Sequence, residues 1–290
     1  MKKLGLPRVL VIGCGDVGMR LLPLLTPRYR VLAVTSNPQR CAELRAAGAV
    51  PIVADLDRPL SLGRLGPLAE RVIHLAPPPS DGPLDRRTRN VAAILPEGAR
   101  VVYISTTGVY GDCDGAFFDE TRTVRARTAR AVRRVDAERV LRDWARRRGG
   151  RLAILRVPGI YAADRLPAER LRQGTPALAA ADDVYTNHIH ADDLAQATLA
   201  ALWRGAPNRI YHAVDDTDLR TGDFLDAVAD ALGLPRPPRM PRAEIGASVS
   251  PMMLSFMSES RRLDNRRLRR ELGVSLKWPD VQSLLATLQR

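Results

Sequence analysis

RVLVIGCGDVGMR, residues Arg8–Arg20, decides how the rest of the chain reads. Four apolar β-formers, Val9, Leu10, Val11 and Ile12, run directly into Gly13, Gly15 and Gly18. Met19, Leu21 and Leu22 then open an apolar helical stripe. A short run that is apolar on both faces, a glycine turn and a helix start together predict a buried parallel strand passing into a helix N-terminus. Gly13 is placed to take the tight turn. Gly15 lets a pyrophosphate approach the backbone, and Gly18 lets helix and strand pack closely. Asp16 and Val17 fall in the first helical turn, where free N–H groups and the positive end of the dipole face an anion. The competing reading is a glycine turn that serves packing alone.

The chain has 290 residues, 45% of them hydrophobic, which is enough for one large α/β domain or a domain with a lobe. Cys14, Cys41 and Cys113 are far apart with no paired spacing. That pattern predicts free thiols in a reducing, cytoplasmic setting and argues against a disulfide scaffold or a zinc site. No apolar run approaches the roughly 20 residues of a membrane span. Met1-Lys2-Lys3 followed by Val11-Ile12-Gly13-Cys14 imitates a lipoprotein signal, but Pro7 and Arg8 interrupt any apolar region. The segment therefore reads as the first strand. The formal charge is +13, with lysine only at positions 2, 3 and 277, so arginine carries nearly all of it. A basic balance suits nucleic acid or anionic small molecules. Aromatic residues make up 4% of the chain, too few for a stacking platform, so nucleic acid is not the expected partner.

Outward from the first strand, Arg30–Thr35 (RVLAVT) reads as the second. A fold that prefers NAD places a carboxylate at this strand's end, on the ribose 2′-hydroxyl. Here Thr35, Ser36 and Asn37 follow, with Arg40 just beyond, which favours NADP with NAD as the alternative. Ser36-Asn37-Pro38 also suits a helix cap. A helix over 39–47 ending at Gly48, a third strand over 49–54, a fourth over 71–76, a helix over 84–95 and a fifth strand over 100–105 continue the alternation. Strands that alternate with helices predict a doubly wound parallel sheet of the α/β class. Ligands bind beyond the strand C-termini of such sheets. The expected cofactor-binding positions at that edge are Gly13, Gly15, Asp16, Val17, Gly18, Ser36, Asn37, Arg40, Asp55, Leu56, Ala76, Pro77 and Pro78.

Five motifs then follow in order: Ser105-Thr106-Thr107-Gly108-Val109-Tyr110-Gly111, Arg156-Val157-Pro158-Gly159-Ile160-Tyr161, Asn187-His188-Ile189-His190-Ala191-Asp192-Asp193-Leu194, Ile210-Tyr211-His212-Ala213-Val214-Asp215-Asp216, and Ser260-Arg261-Arg262-Leu263-Asp264-Asn265. Together they resemble the extended short-chain dehydrogenases/reductases, the NAD-dependent epimerase/dehydratase group. The resemblance covers nearly the whole chain. It implies a Rossmann domain over 1–157 completed by 187–214, and a smaller α/β substrate lobe built from 158–186 and 215–290. It also implies a nicotinamide cofactor and a small-molecule substrate, anionic or nucleotide-linked.

The family's chemistry uses a Ser or Thr after strand five and a Tyr-x-x-x-Lys pair on the next long helix. Thr106 stands at the first position. A glutamate usually follows the lysine by four residues. Counting back from Glu138 puts Arg134 at the lysine and Arg130 at the tyrosine. No tyrosine occurs between Tyr110 and Tyr161 and no lysine between Lys3 and Lys277, so the pair is missing. This resembles the atypical branch of the family. Arg134 can hold a ribose or phosphate as a fixed cation but cannot exchange a proton near neutral pH. Tyr110 is the nearest remaining phenol, so Thr106, Tyr110 and Arg134 form the candidate catalytic set. Asp112 and Glu120 are read as solvated loop charges.

The long helix is expected over Thr123–Arg148, with Val132, Val135, Val140, Leu141 and Trp144 as its buried stripe and arginines over the rest. So many arginines disfavour association through it and leave the oligomeric state open. Pro158, Gly159, Tyr161, His190, Arg261 and Arg262 are the expected substrate-binding residues, the two arginines because paired guanidiniums suit phosphates or carboxylates. No carboxylate or cysteine set completes a metal-ligand spacing around the histidines, and no metal is expected. Thr221 is expected to cap a helix over 223–232 that ends at Gly233. Met252, Met253, Phe256 and Met257 read as core packing, with a pocket wall as the alternative. Three functions compete: an NADP-preferring oxidoreductase or epimerase-like enzyme without the usual dyad, a non-catalytic NAD(P)-binding sensor or scaffold, and an arginine-helix nucleic-acid binder.

Overall fold

The computed structural model describes residues 5–288, so the Met1–Lys3 start lies outside it. In chain order the strands are β1 (Arg8–Ile12), β2 (Arg30–Thr35), β3 (Val50–Val53), β4 (Arg71–His74), β5 (Arg100–Thr106), β6 (Phe117–Phe118), β7 (Arg151–Val157), β8 (Gly159–Tyr161), β9 (Ala177–Leu178), β10 (Tyr185–Thr186), β11 (His188–His190), β12 (Arg209–His212), β13 (Leu219–Arg220), β14 (Arg239–Met240) and β15 (Arg262–Leu263). The helices are α1 (Asp16–Leu25), α2 (Cys41–Ala46), α3 (Arg86–Ile94), α4 (Ala129–Arg148), α5 (Ala168–Arg172), α6 (Ala191–Arg204), α7 (Thr221–Leu232), α8 (Arg242–Ile245), α9 (Pro251–Met257), α10 (Arg266–Arg270) and α11 (Val281–Leu288).

The strands that read as apolar on both faces pair in parallel into one sheet, ordered β12-β7-β5-β4-β1-β2-β3. Helices cover both faces, giving the Rossmann-type doubly wound α/β fold. The order reverses beside β1, so the crevice beyond β1, β4 and β5 is the topological switch point. On one face α1 and α6 pack over Val9, Val11, Ile73 and Leu155; on the other, α3 and α4 pack over Leu10, Ile12, Tyr103 and Ile154. A separate core gathers Tyr161, Leu171, Phe224, Leu225, Val228, Val281 and Leu285 where α7 and α11 meet. Four strand pairs outside the main sheet, β6 with β15, β8 with β11, β9 with β14 and β10 with β13, stitch the later segments together.

Several boundaries move by a residue or two from the sequence reading, and two of the shifts are set by hydrogen bonds. Helix α4 begins at Ala129, not Thr123, because Thr128 accepts the Ala131 N–H at 3.2 Å and caps it. The preceding residues run beside the Gly108–Gly111 turn, with the Arg125 N–H donating to the Val109 carbonyl. Thr221 is the first residue of α7 rather than its cap, since its N–H is spent on the Val184 carbonyl. The buried face of α4 also differs. Val132 is exposed, and Ala131, Ala137, Leu141, Trp144 and Ala145 go inward together with the charged Arg133, Asp136 and Glu138.

Candidate functional site

The four loops beyond β1, β2, β3 and β4 are laced side by side. Gly13 and Cys14 donate to the Val34 carbonyl, Leu75 and Ala76 donate to the Ile12 carbonyl, and Ala54 donates to the Thr35 carbonyl. Gly13 has φ +84°, and a Cβ there would lie 2.6 Å from the Ala76 backbone. At Gly18 a Cβ would lie 2.9 Å from Cys14 Sγ. Gly15 is the opposite case: it is exposed, and nothing lies within 4 Å of where its Cβ would be. It also precedes α1 without any side chain to cap it, so the first-turn N–H groups stay open. This open backbone turn with free helix N–H groups is a place that a side chain would occupy, and it fits a pyrophosphate.

The rims of the turn are charged. Asp16 binds Arg20 and Arg165, and Arg20 also reaches Asp164 and Asp192, which ties the loop over 163–165 to the start of α1. Val17 packs on the core beneath. At the end of β2, Ser36 is exposed and Asn37 Oδ1 accepts the Gln39 N–H at 2.9 Å, so the local cap is real. Arg40 donates to the Cys14 carbonyl and makes a two-point ion pair with Glu43, 2.9 and 3.1 Å. The sequence reading took this rim to be free of carboxylates, and Glu43 corrects it. One turn of helix brings that carboxylate back onto Arg40. Beyond β3, Asp55 Oδ1 accepts the Asp57 N–H, and Leu56 is buried. Ala76 is buried under Gly13, and the exposed Pro77 carbonyl accepts from Arg87.

A cavity of 610 Å³ opens beyond the ends of β5 and β7. Thr106, Arg134, Pro158, Gly159 and Arg261 line it. So do Arg130, Arg170, Tyr185 and Glu259, which sequence reasoning did not place there, and the Met252, Met253 and Phe256 side of α9, for which it held a pocket wall as the alternative. Arg130 was noted only as the position where the family's tyrosine is missing. Its guanidinium now stacks on Phe256, 4.3 Å from the ring centre. Arg134 is held by the Ile104 carbonyl at 2.8 Å and Tyr103 Oη at 3.0 Å, so it is a fixed cation. Burial lowers the pKa of Arg130 and of Arg170 from the ordinary arginine value, and Arg170 Nε has no partner among the described residues. Thr106 Oγ1 accepts the Gly108 N–H at 3.3 Å. Met252 and Phe256 are exposed while Met257 is buried, so this cluster is chiefly a cavity wall and only in part core.

Several expected site residues lie elsewhere. Tyr110 is 1% exposed, and its hydroxyl meets His212 Nε2 at 2.6 Å. The opposite nitrogen, Nδ1, faces the Asp264 carbonyl at 3.0 Å and must donate, so Nε2 accepts and Tyr110 is the donor. Burial pushes the Tyr110 phenol up to about 12 and His212 down to about 3. Tyr110 is therefore structural, not an acid/base group. Tyr161 is buried in the separate core around α7 and α11, against His188 and His190. His190 is buried too and caps α6 by accepting the Asp192 N–H at 3.2 Å. Arg262 turns to the Gly115 carbonyl and stacks on Tyr185 away from the cavity; Arg261 alone of that pair lines it. Glu120, read as a solvated charge, is buried, accepts the His212 N–H and pairs with Arg267; burial raises its pKa. Asp112 accepts the Ser260 N–H. Among the described residues no three metal-ligating side chains converge, and no helix is long and apolar enough to cross a membrane.

A glycine turn at the switch point of a doubly wound parallel sheet, with a cavity beyond β5 and β7, defines a Rossmann-type α/β protein. The comparisons agree. The TrkA-N domain matches residues 9–75. A functionally unknown conserved protein from Silicibacter pomeroyi is 32% identical, with 98% of each chain covered and a TM-score of 0.80. The fold is shared at lower identity by UDP-glucose 4-epimerase from Thermotoga maritima with UDP-glucose (17% identity, 96% and 97% covered, TM-score 0.76). It is shared also by dTDP-glucose 4,6-dehydratase from Streptomyces venezuelae with NAD (20% identity, 97% and 96% covered, TM-score 0.76). No curated protein matches in sequence. The chain belongs to the family of the Silicibacter pomeroyi protein and shares its fold with the epimerase and the dehydratase.

Proposed function

We propose that this protein is an NAD(P)-dependent oxidoreductase or epimerase/dehydratase-like enzyme, NADP preferred, that acts on a small anionic substrate without the Tyr-x-x-x-Lys dyad. The observation that carries it is the combination, at the C-terminal edge of one sheet, of an open backbone turn at Gly15 and a cavity beyond β5 and β7 lined by Arg130, Arg134, Arg170 and Arg261. Gly13 to Gly18 would hold the pyrophosphate. Ser36, Asn37 and Arg40 would hold the adenosine ribose and its 2′-phosphate, and Asp55, Leu56 and Ala76 to Pro78 would flank the ring and ribose beyond β3 and β4. When bound, the nicotinamide supplies hydride transfer. Thr106 would orient a substrate oxygen, and Arg134, fixed by Ile104 and Tyr103, would place a permanent positive charge beside it. Segments 158–186 and 215–290 would form the substrate lobe, with Pro158, Gly159 and Arg261 as its contacts. A buried or desolvated guanidinium suits phosphates and carboxylates, since it never gives up its charge.

The NADP preference runs through Arg40, which must exchange Glu43 for a 2′-phosphate. Calorimetric titration with NADPH and NADH in parallel tests this. Arg40→Ala should weaken NADPH at least tenfold and change NADH less than threefold. Glu43→Gln should tighten NADPH, because it releases Arg40. Equal losses for both nucleotides in Arg40→Ala would make Arg40 a support of the Gly loop through the Cys14 carbonyl and remove the preference. The missing dyad favours a second reading, a non-catalytic NAD(P)-binding sensor. Nucleotide binding with no turnover of any carbonyl substrate would establish that one.

A further inference from the structure

Once Tyr110 is locked onto His212, the cavity has no proton carrier at the positions where the family places one. Thr106 has too weak an acid and base, and guanidiniums stay charged. One carboxylate lines the cavity: Glu259, on the segment between α9 and β15. It is about nine-tenths buried, and Oε2 accepts from Arg261 Nη1 at 2.7 Å. Arg261 is itself held by the Gly111 carbonyl at 2.9 Å, so the pair is fixed to the turn after β5. A Cβ placed on Gly108 would sit 3.6 Å from Thr106 Oγ1 and 3.9 Å from Glu259 Oε2. The hydroxyl and the carboxylate thus flank one point at the C-terminal edge of the sheet. Oε1 takes no hydrogen bond from the described residues and remains for a ligand.

We propose that Glu259 is the catalytic acid/base of this protein, in place of the absent tyrosine; this rests on the NAD(P)-dependent reading above. In the oxidative direction a substrate carbinol loses its C–H electron pair as hydride to an oxidised nicotinamide, which is reduced. Its O–H bond breaks, the proton goes to Glu259 Oε1, and a carbonyl remains. The reverse direction returns the proton from the protonated carboxyl to the carbonyl oxygen. The charged groups facing Glu259 are Arg261 on its own segment and Arg130 on α4, with Cys113 and Asp112 on the loop after β5. The two guanidiniums lie against the carboxylate, which takes the role of base for an alcohol on the oxidative path. Tyr185 is the other proton-bearing side chain in the wall, but its ring is covered by Arg262 and Arg220 on the lobe side.

The test uses the full chain and three measurements. Calorimetry with NADPH, and separately with inorganic pyrophosphate, reports fold and cavity without turnover. NADPH oxidation is followed with glyceraldehyde 3-phosphate, dihydroxyacetone phosphate, glyoxylate and 2-oxoglutarate, and the best of these is carried into a pH profile. Glu259→Gln should keep NADPH affinity and bind pyrophosphate no more weakly, since it removes a competitor for Arg261. It should lose turnover at least 100-fold and lose the pH limb that the wild type shows, with Glu259→Asp recovering part of both. The assignment is overturned if Glu259→Gln keeps turnover within tenfold. It is overturned too if Tyr185→Phe, rather than Glu259→Gln, removes the limb, or if the wild type binds NADPH and reduces none of the four. Failure of the underlying reading shows separately, as a wild type that does not bind NADPH.

Discussion

At the scale of single residues, two glycines of one motif make opposite predictions. Gly15 faces open space, so Gly15→Val should fold with an unchanged denaturation midpoint while a side chain occupies the pyrophosphate position. Nucleotide binding should fall below detection, and binding that survives would put the nucleotide elsewhere. Gly13 sits at φ +84° with the Ala76 backbone 2.6 Å from a would-be Cβ. Gly13→Ala should therefore cost about 3 kcal/mol of stability, a strained φ plus a clash with main chain. Thermal or urea denaturation separates the two. A motif match alone treats these glycines alike; the difference between them is purely what lies opposite each Cβ.

At the scale of elements, α4 is joined to the sheet by charge as much as by apolar contact. Glu138 accepts from Ser105 Oγ at 2.6 Å on β5 and from Arg156 at 3.1 and 2.7 Å on β7, and all three are buried. Arg156 in turn lies over the Tyr110 ring. Glu138→Gln leaves a buried guanidinium uncompensated and should destabilise the fold by about 3–5 kcal/mol. The double change Glu138→Leu with Arg156→Met should recover most of that in urea denaturation, because no charge is then stranded. The same pair explains where sequence reading of α4 failed. A stripe rule sends valines in and charges out, and here Val132 goes out while Arg133, Asp136 and Glu138 go in. Their partners, Gly82, Asp85, Ser105 and Arg156, lie on other elements and give no local signal. The C-terminal ends of α4 and α7 fall as expected, stopped by Gly149 and Gly233 in the left-handed region, whereas α4 starts at Ala129 rather than Thr123 because Thr128 caps it.

At the scale of the molecule, the sheet and the glycine turn could be read because each strand and the loop after it are contiguous in sequence. The cavity could not, because it is assembled from α4, α5, β10, α9 and the Glu259 segment, and which face of each turns inward is set by packing. All four histidines sit inside this fold, and one consequence concerns the whole molecule. Burial pushes His74, His188 and His212 down to about 3, 4 and 3. An unfolded histidine titrates near 6.5. Below that pH the unfolded chain takes up protons that the folded chain refuses, so stability present above about pH 6.5 is lost as pH falls toward 4. Asp215 opposes this. Burial raises its carboxyl to about 6, so its contribution is fully present only below the unfolded value near 4 and disappears as pH rises through 6. Burial also raises Glu120, Asp183 and Asp193 and lowers His190, so the buried carboxyls offset part, and not all, of the histidine loss. Each histidine costs on the order of 2 kcal/mol between pH 7 and 5, at about 1.4 kcal/mol per pH unit below 6.5. The melting temperature should fall by roughly 10 °C over that interval, given about 2–4 °C per kcal/mol for a chain of this size. His188 supplies the control. It stacks on Phe224 with Nε2 unpartnered, so His188→Phe removes one titration without stranding a hydrogen-bond partner there. That variant should melt near the wild type at pH 7 and above it at pH 5, with about a third of the acid sensitivity gone. Parallel melting curves at the two pH values decide it, and an unchanged difference between them would move the acid lability to other groups.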